Sequence, residues 1–581
     1  MKNREIANLF EEIADILELR GENRFRINAY RRSAQAVSGI SRDIEEMAAE
    51  GSIESIPGIG KDLREKIEEY LRSGEISLLE RLKNETPPIL LDMLRIPGIG
   101  PKTALLIHAE LGVGSLEDLK RMALEHRLQE LPKIKEKTEK NIIRGIEFLE
   151  SFKGRTPIGI ALPLAEDIIE SLEGCEEVSR LEYAGSLRRH CETVGDIDIL
   201  AASSSPEDTI KYFAGLSLVE SVIVSGPTKC SVFTSDGIQV DLRVVEEKSY
   251  GAALNYFTGS KAHNIRLREI AIERNLKLNE YGVFEKKDGG SGKRIAGATE
   301  DEVYSALGLP YIPPEIREDT GEIEAALKGG LPELVSRSDI RGDLHTHSDW
   351  SDGNASLDDL ASAGKRAGLK YILVSDHSMS LRIAHGLTAK RLISQIAEID
   401  RINEKIRGFR LLKGSEVDIL PDGSLDLEDG VLKKLDVVIA AVHSSFKMKR
   451  DRMTERIISA MKNPFVSVLA HPTGRLLGTR EPYDVDMDAV IAAAAETETA
   501  LEINSHPLRL DLDPVHARKA AAAGVLLSLG TDSHDPSLEL DHLRYGIGTA
   551  RRGWLCKEHI LNSRTAAALK KLIERKRKRN P

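Results

Sequence analysis

The sequence predicts a multidomain chain: helical at its start, α+β in its middle and α/β at its end. Residues 1 to about 150 place apolar side chains at helical spacing and repeat one Pro-Gly turn. Residues 151–245 switch to alternating strands around Gly185–Leu200. From about residue 340, seven strand–helix units follow, each strand ending on a polar residue. A length of 581 residues suits roughly four domains.

At 30% charged and 41% hydrophobic, the composition is that of an ordinary globular chain. No run of about 18 apolar residues occurs, so no membrane span is expected. The start, Met1-Lys-Asn-Arg, lacks a signal-peptide core, and a cytoplasmic location is the matching expectation. Cys175, Cys191, Cys230 and Cys556 are scattered, as thiols of a reducing compartment are. A net charge of -11 argues against a nucleic-acid binder that uses its whole surface, but leaves local basic grooves open. Eleven of the 15 histidines lie at or after His345, which points to separate chemistry in the last part.

In the helical start, Ile6, Leu9, Phe10, Ile13, Ile16 and Leu17 recur on one face. Ile56-Pro-Gly-Ile-Gly60 precedes one helical stretch and Ile96-Pro-Gly-Ile-Gly100 another. Gly58, Gly60, Gly98 and Gly100 permit a tight turn that bares backbone N–H groups at a helix N-terminus, an anion site suited to a backbone phosphate. One such turn is as well explained as a plain connector. Two in matching helical context favour phosphate binding. Leu131–Lys135 echoes the motif without its glycines and is expected to be structural.

In the middle, Asp196 and Asp198 alternate with Ile197 and Ile199. On a strand both carboxylates share a face, and close like charges draw a divalent cation. Upstream, Gly185 and Ser186 open backbone N–H groups to an anion, and Arg188 and Arg189 add charge. A phosphate site beside a metal site points to phosphoryl chemistry; the competing reading is a polar strand end in a surface loop. Five strands of a mixed or antiparallel sheet are expected at 178–184, 195–202, 218–225, 229–234 and 238–245. Asp241 lies on the face opposite Ile238, Val240, Leu242 and Val244, and joins the pair if its strand is a neighbour. After it come Gly251–Ser260, a helix over 263–275, a strand over 278–284 with a hairpin tip at 289–292, and a linker with one short helix over 315–341.

In the last part, strands end at His345 and His347, His377, Glu416, His443, His471, Asn504, and Asp532 with His534. Repeating βα units predict a parallel sheet or barrel, which keeps its chemistry at C-terminal strand ends; seven units suggest an incomplete barrel. One histidine at a strand end is usually structural. Here His345, His347, Asp352, His377, Glu416, His443, His471, Asp532 and His534 form a mixed imidazole–carboxylate set, which suits Mn, Zn or Fe better than Mg alone. Arg575–Arg579 reads as a solvated basic tail that adds non-specific DNA affinity.

Gly185-Ser186 through Asp198, then Asp241, then Tyr256-Phe-Thr-Gly-Ser260, behind tandem Pro-Gly-Ile-Gly hairpins, resembles the family X DNA polymerases over roughly residues 1–318. The resemblance implies a helical lyase-like domain with a helix-hairpin-helix (1–80) and a fingers-like domain with another (81–150). A nucleotidyltransferase palm (151–245), a thumb (246–318) and a linker (319–339) follow. It implies that Asp196 and Asp198 hold both metals, Mg or Mn, and that Asp241 binds the catalytic metal and helps activate the primer 3′-hydroxyl. Arg155, Gly185, Ser186 and Arg189 are implied contacts of the triphosphate, and Tyr256 and Phe257 of the sugar. Gly259 lies in the turn beside the nucleotide, and Asn264 and Arg268 reach the nascent pair and the template. Two metals roughly 3.5–4 Å apart stabilise attacking and leaving oxygens, so the protein mainly positions and neutralises. Lys66 matches the lysine that forms a Schiff base with an abasic sugar. Asp62 stands where lyase enzymes of the family often carry a second lysine, and a solvated helix lysine is the competing reading.

The nine strand-end groups over about 340–573 resemble the PHP (polymerase and histidinol phosphatase) family. That resemblance implies a trinuclear Mn or Zn site that activates water to cleave phosphoesters, with 3′-5′ exonuclease and often abasic endonuclease and 3′-phosphatase activity. Residues 574–581 are left as the basic tail. The whole reads as a monomeric gap-filling polymerase of DNA repair, including base excision repair. Its substrates are deoxynucleoside triphosphates and gapped, primer-template or abasic DNA. A template-independent nucleotidyltransferase and a DNA end-binding scaffold with inactive centres are the alternatives.

Overall fold

A computed structural model describes residues 2–38, 44–56, 59–94, 96, 99–132, 134–135, 138–140, 142–143, 146, 154–287 and 290–579. No described helix is long and apolar enough to cross a membrane.

The helical start forms two small cores. Helix Lys2–Leu19 buries Ile6, Phe10, Ile13 and Leu17 with Tyr30 of helix Arg24–Ser38 and Leu63 and Ile67 of helix Lys61–Ser73. Helices Pro88–Leu94, Pro101–Leu111 and Leu116–Leu124 bury Ile89, Met93, Ile107 and Leu119. Gly60 and Gly100 cap the two hairpin helices in extended conformation, each after a bond from the preceding isoleucine, Ile59 N to Ile56 O (3.1 Å) and Ile99 N to Ile96 O (3.0 Å). Gly58 and Gly98 lie outside the described residues. The glycine-free echo makes the same bond, Ile134 N to Leu131 O at 3.2 Å.

The middle sheet consists of β1 (Val178–Tyr183), β2 (Ile197–Ser203), β3 (Val219–Ser225), β4 (Lys229–Thr234) and β5 (Gln239–Val245). Their order is β1-β2-β5-β4-β3. β2 and β5 run parallel; their neighbours run antiparallel. Ile197, Ile199, Val240 and Leu242 face helix Ile158–Glu173 in one core, so period-2 alternation turns the intervening aspartates to the other face. Leu477, Leu510 and Tyr545, from far later in the chain, complete that core.

Helices Tyr250–Thr258 and Lys261–Glu273 follow, then β6 (Leu276–Asn279), β7 (Gly282–Lys287) and β8 (Gly290–Ala296), an antiparallel meander, and helix Glu300–Ala306. Part of the expected hairpin tip, Gly289, lies outside the described residues. Ser260 caps its helix, its hydroxyl accepting from His263 N at 3.2 Å. The stretch read as a linker packs closely instead. Helix Glu322–Leu327 buries Glu322 and Ile323, and Glu322 Oε1 stands 2.7 Å from His263 Nδ1.

The last part is a parallel sheet of seven strands in sequence order: β9 (Gly342–Thr346), β10 (Tyr371–Val374), β11 (Arg410–Asp418), β12 (Val437–Ala441), β13 (Val468–Leu469), β14 (Ala500–Asn504) and β15 (Leu527–Gly530). Just past β15 the sheet turns back on β9: Asp532 N donates to His345 O (2.9 Å) and His347 N to Ser533 O (2.8 Å). The expected incomplete barrel is therefore nearly closed. Leu344, Leu373, Leu412 and Ile439 fill it together with Leu569 and Ile573 of the final helix, Ala566–Arg579.

That helix corrects the reading of Arg575–Arg579 as a solvated tail for two of its residues: Arg575 and Lys578 are exposed, but Lys576 and Arg577 are drawn in. Its apolar face plugs the N-terminal end of the barrel, and Lys576, one turn beyond Ile573, is carried under the same surface. Lys576 is 4% exposed and donates to Val466 O and to Thr499 Oγ1, and burial lowers its ammonium to about 7. Arg577 donates to Leu435 O at 3.0 Å.

Candidate active sites

The parallel pairing of β2 with β5 sets Asp198 opposite Asp241. Gly185 closes over them at φ +62, and a Cβ there would stand 2.3 Å from Asp198 Oδ2. Glycine is what lets this turn touch the carboxylate. Burial, then Asp196 and Asp241, raises Asp198 to about 7. Burial and Asp241 raise Asp196 as well. Burial also acts on Asp241, but Lys229 Nζ at 2.8 Å and Gln239 Nε2 at 2.9 Å outweigh it and hold that carboxyl low. Hard oxygen donors crowded on one face suit a divalent cation, which relieves their repulsion. The three carboxylates do not close to the mutual 4.8 Å spacing found at the barrel mouth.

This crowding has a measurable consequence. Asp198 must lose its proton to hold a cation, and it does so as pH rises through about 7. A divalent cation added to these carboxylates is therefore expected to be held more tightly at pH 8 than at pH 6, with a larger gain in Tm at pH 8. Replacing Asp198 by asparagine removes that pH dependence; thermal-shift titrations at both pH values check it.

Around the triad, Arg155 is exposed and held by Thr193, Nε to Oγ1 at 2.8 Å. Ser186 lies on the single helical turn Gly185–Arg188. Arg188 pairs with Glu300 (2.8 Å) and donates to Thr258 Oγ1 (2.9 Å). Arg189 pairs with Glu318 (2.9 Å) and donates to Thr258 O (2.8 Å). The two arginines thus both bond Thr258, where the Thr258–Ser260 turn begins. Asn264 Nδ2 closes the turn, donating to Tyr256 O (2.7 Å) and Gly259 O (3.2 Å). Tyr256 and Phe257 stand edge to face at 5.1 Å, with the Arg243 guanidinium 4.7 Å from the Phe257 ring centre. Arg268, exposed, donates to Asn264 O. Lys66 is paired with Asp62 at 2.7 Å.

The barrel mouth brings all nine expected groups together. Three overlapping sets have ligand atoms within 4.8 Å of one another: His347, Asp352, His377 and His534; His345, His347 and Asp532; and His377, Glu416 and His443. His471 joins through Glu416, Nε2 to Oε1 at 2.9 Å. Glu416 is the hub: His443 Nε2 lies 3.2 Å from its Oε1, and His377 Nδ1 lies 2.9 Å from its Oε2 but out of line for a hydrogen bond. His345 Nε2, both ring nitrogens of His347 and Glu416 Oε2 are buried without hydrogen-bond partners. Such orphaned ligand atoms, imidazole nitrogens beside a carboxylate oxygen, fit a group of borderline-to-hard divalent ions. Burial, then His534 and His377, lowers His347 to about 3. Burial acts to lower His534 too, but Asp352 at 3.4 Å prevails and raises it to about 9.

Behind these ligands stand Asn504, expected only as a polar strand end, and three groups that escaped sequence reasoning, Glu502, Asp418 and Arg509. Glu502 accepts from His345 Nδ1 (2.7 Å) and from the His471 backbone N–H (2.8 Å). Asp418 accepts from His443 Nδ1 at 2.5 Å. Arg509 Nε and Asn504 Nδ2 both reach Asp532 Oδ2 at 3.1 Å. A carboxylate behind an imidazole fixes its tautomer and aim. The signal was present for two of them: Asp418 follows Glu416, and Glu502 precedes Asn504, at i,i+2 on an inward strand face.

A sheet with paired strand aspartates under a glycine turn, and a barrel with a histidine–carboxylate mouth, define a chain with a polymerase half and a hydrolase-type half. Family models agree: a helix-hairpin-helix domain matches residues 1–76, a SAM-like helix-hairpin-helix tandem 90–147, a DNA polymerase beta thumb 253–318 and a PHP domain 343–506. The chain is 41% identical over 577 residues, 99% of its length and 100% of the relative's, to the DNA polymerase/3′-5′ exonuclease PolX of Bacillus subtilis (strain 168). A probable phosphatase of Thermoanaerobacter sp. (strain X514) is 31% identical over 248 residues, 41% of this chain and 96% of that one. DNA polymerase lambda of Arabidopsis thaliana is 25% identical over 345 residues, 54% of this chain and 62% of that one. The chain belongs to the PolX family of DNA polymerases, which joins the family X polymerase core to a PHP domain.

Proposed function

We propose that this chain is a template-directed DNA polymerase that fills short gaps in repair and trims 3′ ends at its barrel mouth. The observation that carries the reading is the register of Asp198 against Asp241 beneath the Gly185 turn. In this reading Asp196, Asp198 and Asp241 hold Mg²⁺ or Mn²⁺, which when bound neutralises the phosphates and activates the attacking hydroxyl. Gly185 and Ser186 offer backbone N–H groups to the triphosphate, and Arg155 and Arg189 offer guanidinium groups. Tyr256 and Phe257 face the sugar, Asn264 and Gly259 border the nascent pair, and Arg268 touches the template strand. Gly60 and Gly100, with Gly58 and Gly98, grip backbone phosphate on either side of a break.

At the barrel, His345, His347, Asp352, His377, Glu416, His443, His471, Asp532 and His534 hold Mn²⁺ or Zn²⁺, three ions in number, and the bound metal supplies a hydroxide at neutral pH. Glu502, Asp418 and Arg509 keep those ligands aimed. Exonuclease, abasic endonuclease and 3′-phosphatase chemistry all reduce to phosphoester hydrolysis at one mouth. Schiff-base chemistry at Lys66 requires its ammonium to leave the exposed pair with Asp62 and lose a proton. The protein acts as a cytoplasmic monomer.

Primer extension tests this. On a gapped duplex with Mg²⁺ or Mn²⁺, synthesis proceeds to the end of the gap, and omitting the template strand stops it. Equal incorporation on single strands favours a template-independent enzyme. Tight binding of gapped DNA with neither synthesis nor hydrolysis favours a scaffold.

A further inference from the structure

Helix Leu543–Arg552 belongs to the barrel half, yet its C-terminal end lies against the polymerase half. A Cβ on Gly548 would stand 2.3 Å from His190 Nδ1, so the helix backbone touches the loop that follows the Gly185 turn. Arg551 Nε pairs with Glu315 at 2.6 Å, and Arg552 Nη1 pairs with Glu318 at 3.1 Å. The same Glu318 oxygen, Oε1, accepts from Arg189 Nε at 2.9 Å. Arg552 Nη1 also donates to the Arg189 carbonyl at 2.8 Å and reaches Cys191 Sγ at 3.2 Å. One barrel guanidinium therefore holds both the backbone of Arg189 and the carboxylate that engages its side chain.

We propose that Arg552 is a positioning residue for the polymerase centre: acting through Glu318, it sets how far the Arg189 guanidinium is free to reach the triphosphate of an incoming nucleotide. The proposal rests on the reading of Arg189 as a triphosphate contact. Its physics is charge sharing. The side chains of Arg189, Arg552 and Glu318 are 13%, 18% and 25% exposed, so solvent screens them weakly. A carboxylate that serves two cations holds each less tightly than a carboxylate that serves one. Without Arg552, Arg189 keeps Glu318 to itself and its carbonyl loses an anchor. A phosphate must then compete against a stronger internal pair.

The expected result follows from one charge-assisted hydrogen bond. Arg552→Ala raises the KM for deoxynucleoside triphosphate about tenfold, with kcat on gapped DNA within about twofold. Arg552→Lys, which keeps the charge, restores most of the loss. Hydrolysis of bis(p-nitrophenyl) phosphate at the barrel is unchanged in both. In a Glu318→Gln background the Arg552→Ala effect on KM mostly vanishes, because the shared carboxylate is gone. An equal KM rise with or without Glu318, or a fall in kcat alone, overturns the proposal. Arg189→Ala separates the two levels. If it leaves KM unchanged, the triphosphate reading of Arg189 fails and the proposal with it. If it raises KM while Arg552→Ala does not, the coupling alone is wrong.

Discussion

Replacing Asp196 and Asp198 together by alanine abolishes nucleotide incorporation, by about three orders of magnitude or more, and leaves hydrolysis at the barrel mouth intact. The size of the effect follows from geometry. Asp198 is pressed under the Gly185 turn and faces Asp241 across the β2–β5 pair, so removing two of three crowded carboxylates leaves Asp241 and its partner Lys229. Neutralising Asp198 alone does the opposite to stability. Asp198 is raised from 3.8 to about 7 by burial and by its acidic neighbours, so the folded chain retains a proton the unfolded chain has lost. Its contribution to stability is present below the unfolded value, falls as pH rises, and is lost above about 7. At pH 8 and without divalent cation, Asp198→Asn therefore stabilises the fold, by roughly 1–3 kcal/mol. Primer extension and thermal unfolding on one preparation read both. A variant that loses activity and stability together would point to a broken sheet rather than a lost cation site.

His345→Ala with His347→Ala produces the reverse: synthesis persists while 3′-5′ hydrolysis falls by about three orders of magnitude or more. Both imidazoles are fully buried, and between them they face Glu416 and Asp532, two carboxylates that neighbouring histidines hold well below their ordinary range against the effect of burial. Their removal takes away three of the orphaned nitrogens that fit metal. Elemental analysis of the dialysed protein gives a readout independent of turnover: bound Mn or Zn per chain drops in this variant and is unchanged in the Asp196/Asp198 variant. Loss of both activities in either variant contradicts two separate centres.

The barrel mouth was legible because its chemistry is local. Each ligand sits near the C-terminal end of a strand or in the loop that follows it, and parallel βα topology brings those ends together whatever the details of packing. The palm was less legible. Asp196 and Asp198 announce themselves by alternation, but Asp241 joins them only if β5 lies beside β2, and spacing along the chain carries no information about strand neighbours. Lys576 and Arg577, within the basic run, misled for the same reason. A basic run reads as solvated until the barrel end that it covers exists, and Lys576 is buried there with two acceptors waiting.

By itself the sequence determined the ligand types, the strand periods, the hairpin turns and the seven βα units, all properties of residues within a few positions of one another. Tertiary structure alone decided the near-closure of the barrel through His345 and His347, the carboxylates behind the histidines, and the joining of both halves at Arg189, Glu318 and Arg552. Those depend on contacts between segments from 25 to 363 residues apart. Their geometry is set by how the modules pack, and local pattern does not encode packing.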